Sequence, residues 1–239
     1  MDSTIIMTII TLLITIVLPI LGIIIIFRRD KTALKWAVVG ALVFFIFQIA
    51  TRIPALNYLS LQPWYIKNIS SNILLLAVFL AFTAGLFEEG GRYLAFSLVL
   101  GDKITWHRGL AFGIGHGGME AIYLVGLPYL QQLSLYLSNG SSVLGTIPSN
   151  TILLAGVERL LAMIMHIGFT MIVLYGVRRK KPIYLLYAIL AHGLVNAPVV
   201  LISNYIFIYI YLILWTAVLL IITLRLRKPL DKQWGFFNK

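Results

Sequence analysis

Seven long apolar runs, parted by short polar or basic segments, organise the chain. They fall at about 4–27, 33–51, 71–100, 106–127, 151–177, 183–203 and 205–225. Each is near or above the ~20 residues that carry a helix across a ~30 Å hydrocarbon core. The stretch 183–225 is about twice that length and divides between Asn196-Ala-Pro198 and Ser203-Asn204. The first run has no basic leader and no small-residue cleavage site, so it reads as a retained helix, not a signal peptide. The pattern predicts an all-α polytopic membrane protein with about seven transmembrane helices in one integral membrane domain, 1–239. Segment 128–150, uncharged, is expected to be an outer loop with room for a short interfacial helix.

Composition sharpens this. The chain is 60% hydrophobic and 11% charged, with a mean hydropathy of +0.96. Soluble domains run near 45–50% and about 25%, so a soluble fold is excluded, and the low charge excludes disorder. With no cysteine, a disulfide framework, a thiolate metal site and a cysteine nucleophile are excluded as well.

A net charge of +11 would ordinarily raise nucleic acid as a partner. Its placement argues otherwise. Arg28, Arg29, Lys31 and Lys35 form one cluster, and Arg178, Arg179, Lys180 and Lys181 a second. Arg225, Arg227, Lys228, Lys232 and Lys239 form a third, and Lys103 and Arg108 join them after the third run. Fifteen of the nineteen basic residues thus follow runs one, three, five and seven. Arg52 and Lys67 fall on the opposite side, and Arg92 and Arg159 lie inside runs. The positive-inside rule then predicts an N-out, C-in protein of the cell membrane. The expected partner is the lipid bilayer, with no nucleic acid.

Against this apolar background several polar residues stand out. Run three carries Glu88, Glu89 and Arg92; run four His116 and Glu120; run five Glu158, Arg159 and His166; run six His192 and Asn196. An ionised group at mid-bilayer costs about 2.5–3.5 kcal/mol, so the six acids and arginines total roughly 15–20 kcal/mol before pairing. Structural ion pairs between helices are one explanation; a functional site is the other. Depth favours the site. Glu88, His116, His166 and His192 each lie 10 to 12 residues from the basic end of their run, which is ~15–18 Å along a helix. Four helices thus place acid and imidazole in one layer, expected to face a polar cavity open toward the cytoplasm.

Spacing within runs agrees. Arg92 lies one turn from both Glu88 and Glu89 and can hold one carboxylate ionised, leaving the other for general acid–base work. His116 with Glu120, and His192 with Asn196, are i, i+4 pairs; the second offers imidazole and amide donors suited to an oxyanion. Gly109, Gly113 and Gly117 recur every fourth residue and predict close approach of another helix.

Taken in order, Glu88-Glu89-x-x-Arg92, Phe112-x-x-x-His116 and His192-x-x-x-Asn196 resemble the three motifs of the CAAX-protease and bacteriocin-processing superfamily of glutamate-dependent intramembrane endopeptidases. The stretches EEGGRY at 88–93 and GHGGME at 115–120 look like its YhfC branch of intramembrane peptidases. The resemblance spans about 85–200. One departure matters: the superfamily spaces its arginine as EExxxR, whereas EExxR here is nearer the PrsW branch, so the carboxylate that Arg92 pairs with stays open. The resemblance implies hydrolysis of a peptide bond in a membrane-embedded or lipid-anchored protein substrate, without a cofactor. Glu88 would be the general base, His116 would orient the water, and His192 and Asn196 would stabilise the oxyanion. Glu89 and Arg92 would tune Glu88, with Glu120, Glu158, Arg159 and His166 in support.

Two alternatives remain open. His116, His166 and His192, with a carboxylate, could supply three or four ligands to zinc, making this a metal-dependent intramembrane protease; His166, which the three motifs do not use, favours that reading. A proton-coupled transporter or a non-catalytic membrane binding protein would belong to a different class, although no inverted repeat is visible.

Overall fold

The computed structural model describes residues 3–100, 104–139 and 143–231. Lys103, Lys232 and Lys239 of the charge argument lie outside the described residues. Among those described, seven helices are long and apolar enough to cross a membrane. They are α1 (Ser3–Arg29), α2 (Ala33–Ser60), α3 (Ile73–Leu98), α4 (Trp106–Ser138), α5 (Ser149–Arg178), α6 (Ile183–Leu201) and α7 (Tyr205–Asp231). This is a multi-pass, all-helical membrane protein with seven spans.

Two helices run further than hydropathy indicates, and proline explains both. Proline lacks an N–H donor, and its ring clashes with the carbonyl four residues back, so a helix must break, kink or widen there. Here it widens. Five-residue (π) turns at Leu13–Val17, Phe45–Arg52 and Ile122–Gly126 each end two residues before Pro19, Pro54 and Pro128. Helix α2 therefore passes through Pro54 to Ser60. Helix α4 passes through Pro128, so residues 127–139 continue that helix and the expected outer loop with its separate interfacial helix is not found. Among the described residues that follow, Val143–Thr146 forms a 3₁₀ turn. Arg52 moves accordingly: placed in an outer loop by hydropathy, it is buried within α2.

Glycine positions the helices around α4. A Cβ at Gly115 would meet Ala37 O of α2 at 2.0 Å, and one at Gly117 would meet Met163 Cα of α5 at 2.9 Å. Gly113 faces Ile167 of α5 in the same way, while Gly118 abuts Pro19 of α1. Backbones can approach this closely only where side chains are missing. The expected glycine stripe thus serves α5, and the glycines beside it admit α1 and α2. On the other flank, Gly85 of α3 lies against Ile189 O of α6. His116 and Glu88 each sit within one turn of such a contact.

Candidate active site

Glu88 is the hub. Its carboxylate, 3% exposed, accepts a hydrogen bond from Gln48 Nε2 of α2 at 3.0 Å on Oε1. His116 Nε2 of α4 is 3.1 Å from Oε2, and His166 Nδ1 of α5 is 3.7 Å from it. His192 Nε2 of α6 is 4.0 Å from Oε1. Three imidazoles from three helices thus each turn one nitrogen toward one carboxylate. The shared depth read from the sequence corresponds to a shared place.

The outer nitrogens are held differently. His192 Nδ1 donates to Glu89 Oε1 at 2.7 Å, and Phe169 stacks on the ring with centroids 4.8 Å apart. His166 Nε2 contacts the Glu120 carboxylate, while its Nδ1 accepts from Arg92 Nη2 at 2.7 Å. His116 Nδ1 makes no hydrogen bond to a described residue; the edge of Phe44 and the face of Phe112 hold that ring instead. Arg92 pairs through Nη1 with Glu89, and its Nη2 lies 3.8 Å from Glu88. Its principal carboxylate is therefore Glu89.

Glu120 does not meet His116, its i, i+4 neighbour, but His166 across the helix interface. Arg159 joins Glu120 to Glu158 in a second group. Asn196 lines the cavity one turn beyond His192.

That cavity measures about 290 Å³. Glu88, His166 and His192 reach it, with Phe169 toward its floor. Most of its wall lies away from the basic ends of the helices: Leu80 and Ala84 of α3, Glu120 and Leu124 of α4, Glu158 and Arg159 of α5, and Val199 and Val200 of α6. The expectation of a cavity opening toward the basic, cytoplasmic end does not match this lining. On the basic side, Phe96, Phe112, Met171, Val173 and Leu174 are fully buried or nearly so and close the bundle.

Two residues escaped the sequence reading. Gln48 is neutral and isolated in an apolar run, and nothing in its spacing marks it. Arg52, one turn on, donates through Nη1 to Gln48 Oε1 at 3.1 Å and through Nη2 to Leu80 O at 2.7 Å. Both lie in the widened turn before Pro54. Such turns often occur at functional sites, and Pro54 was the available signal.

The family described as YhfC intramembrane metalloprotease matches residues 14–218. The chain belongs to the YhfC family. It is also similar to an uncharacterised membrane protein, YhfC, of Bacillus subtilis strain 168, being 37% identical over 207 residues that cover 77% of this chain and 79% of the relative. YhfC membership thus extends beyond the motif core at 85–200 to nearly the whole bundle, and makes this chain an intramembrane protease by family.

Proposed function

We propose that this YhfC protein is a metal-dependent intramembrane endopeptidase acting on a membrane-embedded protein substrate. The observation that carries the reading is the convergence of His116, His166 and His192 on Glu88. Ligand atoms of Glu88, His116 and His166 all lie within 4.8 Å of one another. Mixed imidazole and carboxylate donors suit zinc, at about 2.0–2.2 Å per bond, in a three-protein-ligand catalytic site. The donor set fits, provided that Arg92 gives up His166 Nδ1 and keeps Glu89. Of the histidines and carboxylate read in the sequence, it takes Glu88 as the carboxylate and leaves out His192.

When bound, zinc supplies Lewis acidity and brings the pKa of water to near 7. The chain's own groups do the rest. Glu89 accepts from His192 Nδ1, which leaves Nε2, 4.0 Å from Glu88 Oε1, free to take a proton from water and return it to the leaving amine. Glu120 fixes the His166 ring as outer carboxylates do for metal-bound histidines. Gln48 holds the Glu88 carboxylate in place. Asn196, one turn from His192, offers an amide donor for the charge that develops on the scissile carbonyl oxygen. Buried apolar side chains on the basic side exclude stray water.

One observation favours the cofactor-free, glutamate-activated alternative: Arg92 already occupies His166 Nδ1. His166→Ala separates the two. Purified protein is assayed for bound zinc by mass spectrometry and for cleavage of a reconstituted panel of single-span membrane proteins. Metal dependence requires that His166→Ala lose both zinc and turnover, and that chelation abolish wild-type activity until zinc returns. Full turnover by chelated wild type, with Glu88→Gln inactive, would overturn it.

A further inference from the structure

We infer that water and substrate reach the Glu88 layer from the end of the bundle opposite the basic clusters. Its proteolytic consequence, which rests on the proposed function, is that the scissile bond lies in the half of the bilayer away from those clusters.

Two independent features point the same way. The first is the seal. Between the layer and the basic end, Phe96 and Phe112 meet with ring centroids 4.6 Å apart, one to two turns below Glu88 and His116. Met171, Val173 and Leu174 of α5 add side chains with no exposure. The second is the cavity itself, whose wall rises from the layer toward the other end on α3, α4, α5 and α6 alike.

That wall is charged where it would otherwise be lipid-filled. Arg52 stands on one side, and Arg159 with Glu120 and Glu158 on the other. Ionised groups at such depth are stable where they line water or pair with one another. Glu158, with a side chain 35% exposed, lies toward the mouth, while Glu88 at 3% lies at the base. Polarity therefore runs from the mouth of the cavity to the layer on this side. Leu124, Val199 and Val200 line the same cavity and are exposed on the helix bundle's flank. They give it an apolar lip facing the bilayer. A charged wall with an apolar lip suits one substrate class, a membrane-embedded segment whose backbone unwinds into water as it leaves the lipid.

By the charge rule the basic end is cytoplasmic, so cleavage falls in the outer half of the membrane. That reverses the cytoplasm-facing access expected from the sequence.

The chain has no native cysteine, so single cysteines report cleanly. Full-length variants Ala84→Cys and Ala162→Cys, both cavity positions, are reconstituted in sealed vesicles with Ser60→Cys and Arg179→Cys as markers of the two ends. A membrane-impermeant maleimide reacts only with thiols in contact with water. Ala84→Cys and Ala162→Cys should label from the side that labels Ser60→Cys, and Val173→Cys in the seal from neither side, although all label in detergent denaturant. Labelling from the Arg179→Cys side, from both sides, or from neither would overturn the inference. The readout involves neither metal nor turnover, so its failure leaves the zinc assay to judge the proposed function separately.

Discussion

Two carboxylate–guanidinium groups of the same residue types sit in this bundle, and they differ in their surroundings. Arg92 and Glu89 are both 0% exposed, wedged under three histidines. Arg159, 12% exposed, bridges Glu120 at 14% and Glu158 at 35% along the cavity wall. In the first group a lost partner leaves a charge with no access to water. In the second, water in the cavity can replace it. Identical side chains thus carry different weight, and burial, not pairing, decides how much.

The largest test of that difference is Arg92→Met. Breaking one side of a sealed pair costs about 3–5 kcal/mol, because Glu89 keeps only His192. Thermal unfolding in detergent should show the loss; stability within about 1 kcal/mol of wild type would mean that water reaches the Arg92–Glu89 pair itself. Arg159→Met should cost no more than about 1 kcal/mol in the same measurement.

The two acids on Arg159 sharpen the contrast. Glu120 also steadies His166, so Glu120→Gln should reduce metal affinity or turnover by about 10–100-fold, as loss of an outer-shell carboxylate does. Glu158 pairs with Arg159 and makes no contact with the histidine layer among the described residues, and Glu158→Gln should change turnover less than about fivefold. Equal losses would merge the two groups into one.

The smallest effect lies at the basic end. Burial pushes the Asp30 carboxyl up, but hydrogen bonds from Thr32 and Arg108 outweigh it and hold the pKa below the ordinary value of 3.8. A carboxyl depressed in the folded state contributes stability above its unfolded pKa and loses it as pH falls through the folded value. Asp30→Asn should therefore remove about 0.2–1 kcal/mol at neutral pH and flatten the acid limb of the stability profile. An unchanged acid limb would show that the Arg108–Asp30 contact, 2.9 Å long, adds nothing.

Much of this molecule was legible along the chain. Seven spans follow from run length, since a helix must satisfy its own backbone in lipid. Glu88, His116, His166 and His192 were found because ionisable groups in apolar runs are costly, and each helix's rise converts residue count into depth. Glu89 and Arg92 followed from their one-turn spacing. Gln48 was not legible, because a neutral amide in a hydrophobic run has no pattern until its partner is known. Arg52 was misplaced because hydropathy ends a span at the first charge, whereas the widened turn before Pro54 lets the helix continue and bury it.

Residue type and order alone determined the helical membrane class, the polarity of charge along the chain and the depth of the ionisable layer, since these depend on transfer energy and helix rise. Tertiary structure alone decided which neighbours each acid has, that Glu120 serves His166 rather than His116, and which end of the bundle the cavity faces. Those outcomes depend on how the helices rotate about their axes and which backbones glycine allows to touch. A rotation of one helix changes every side-chain contact while leaving its hydropathy untouched.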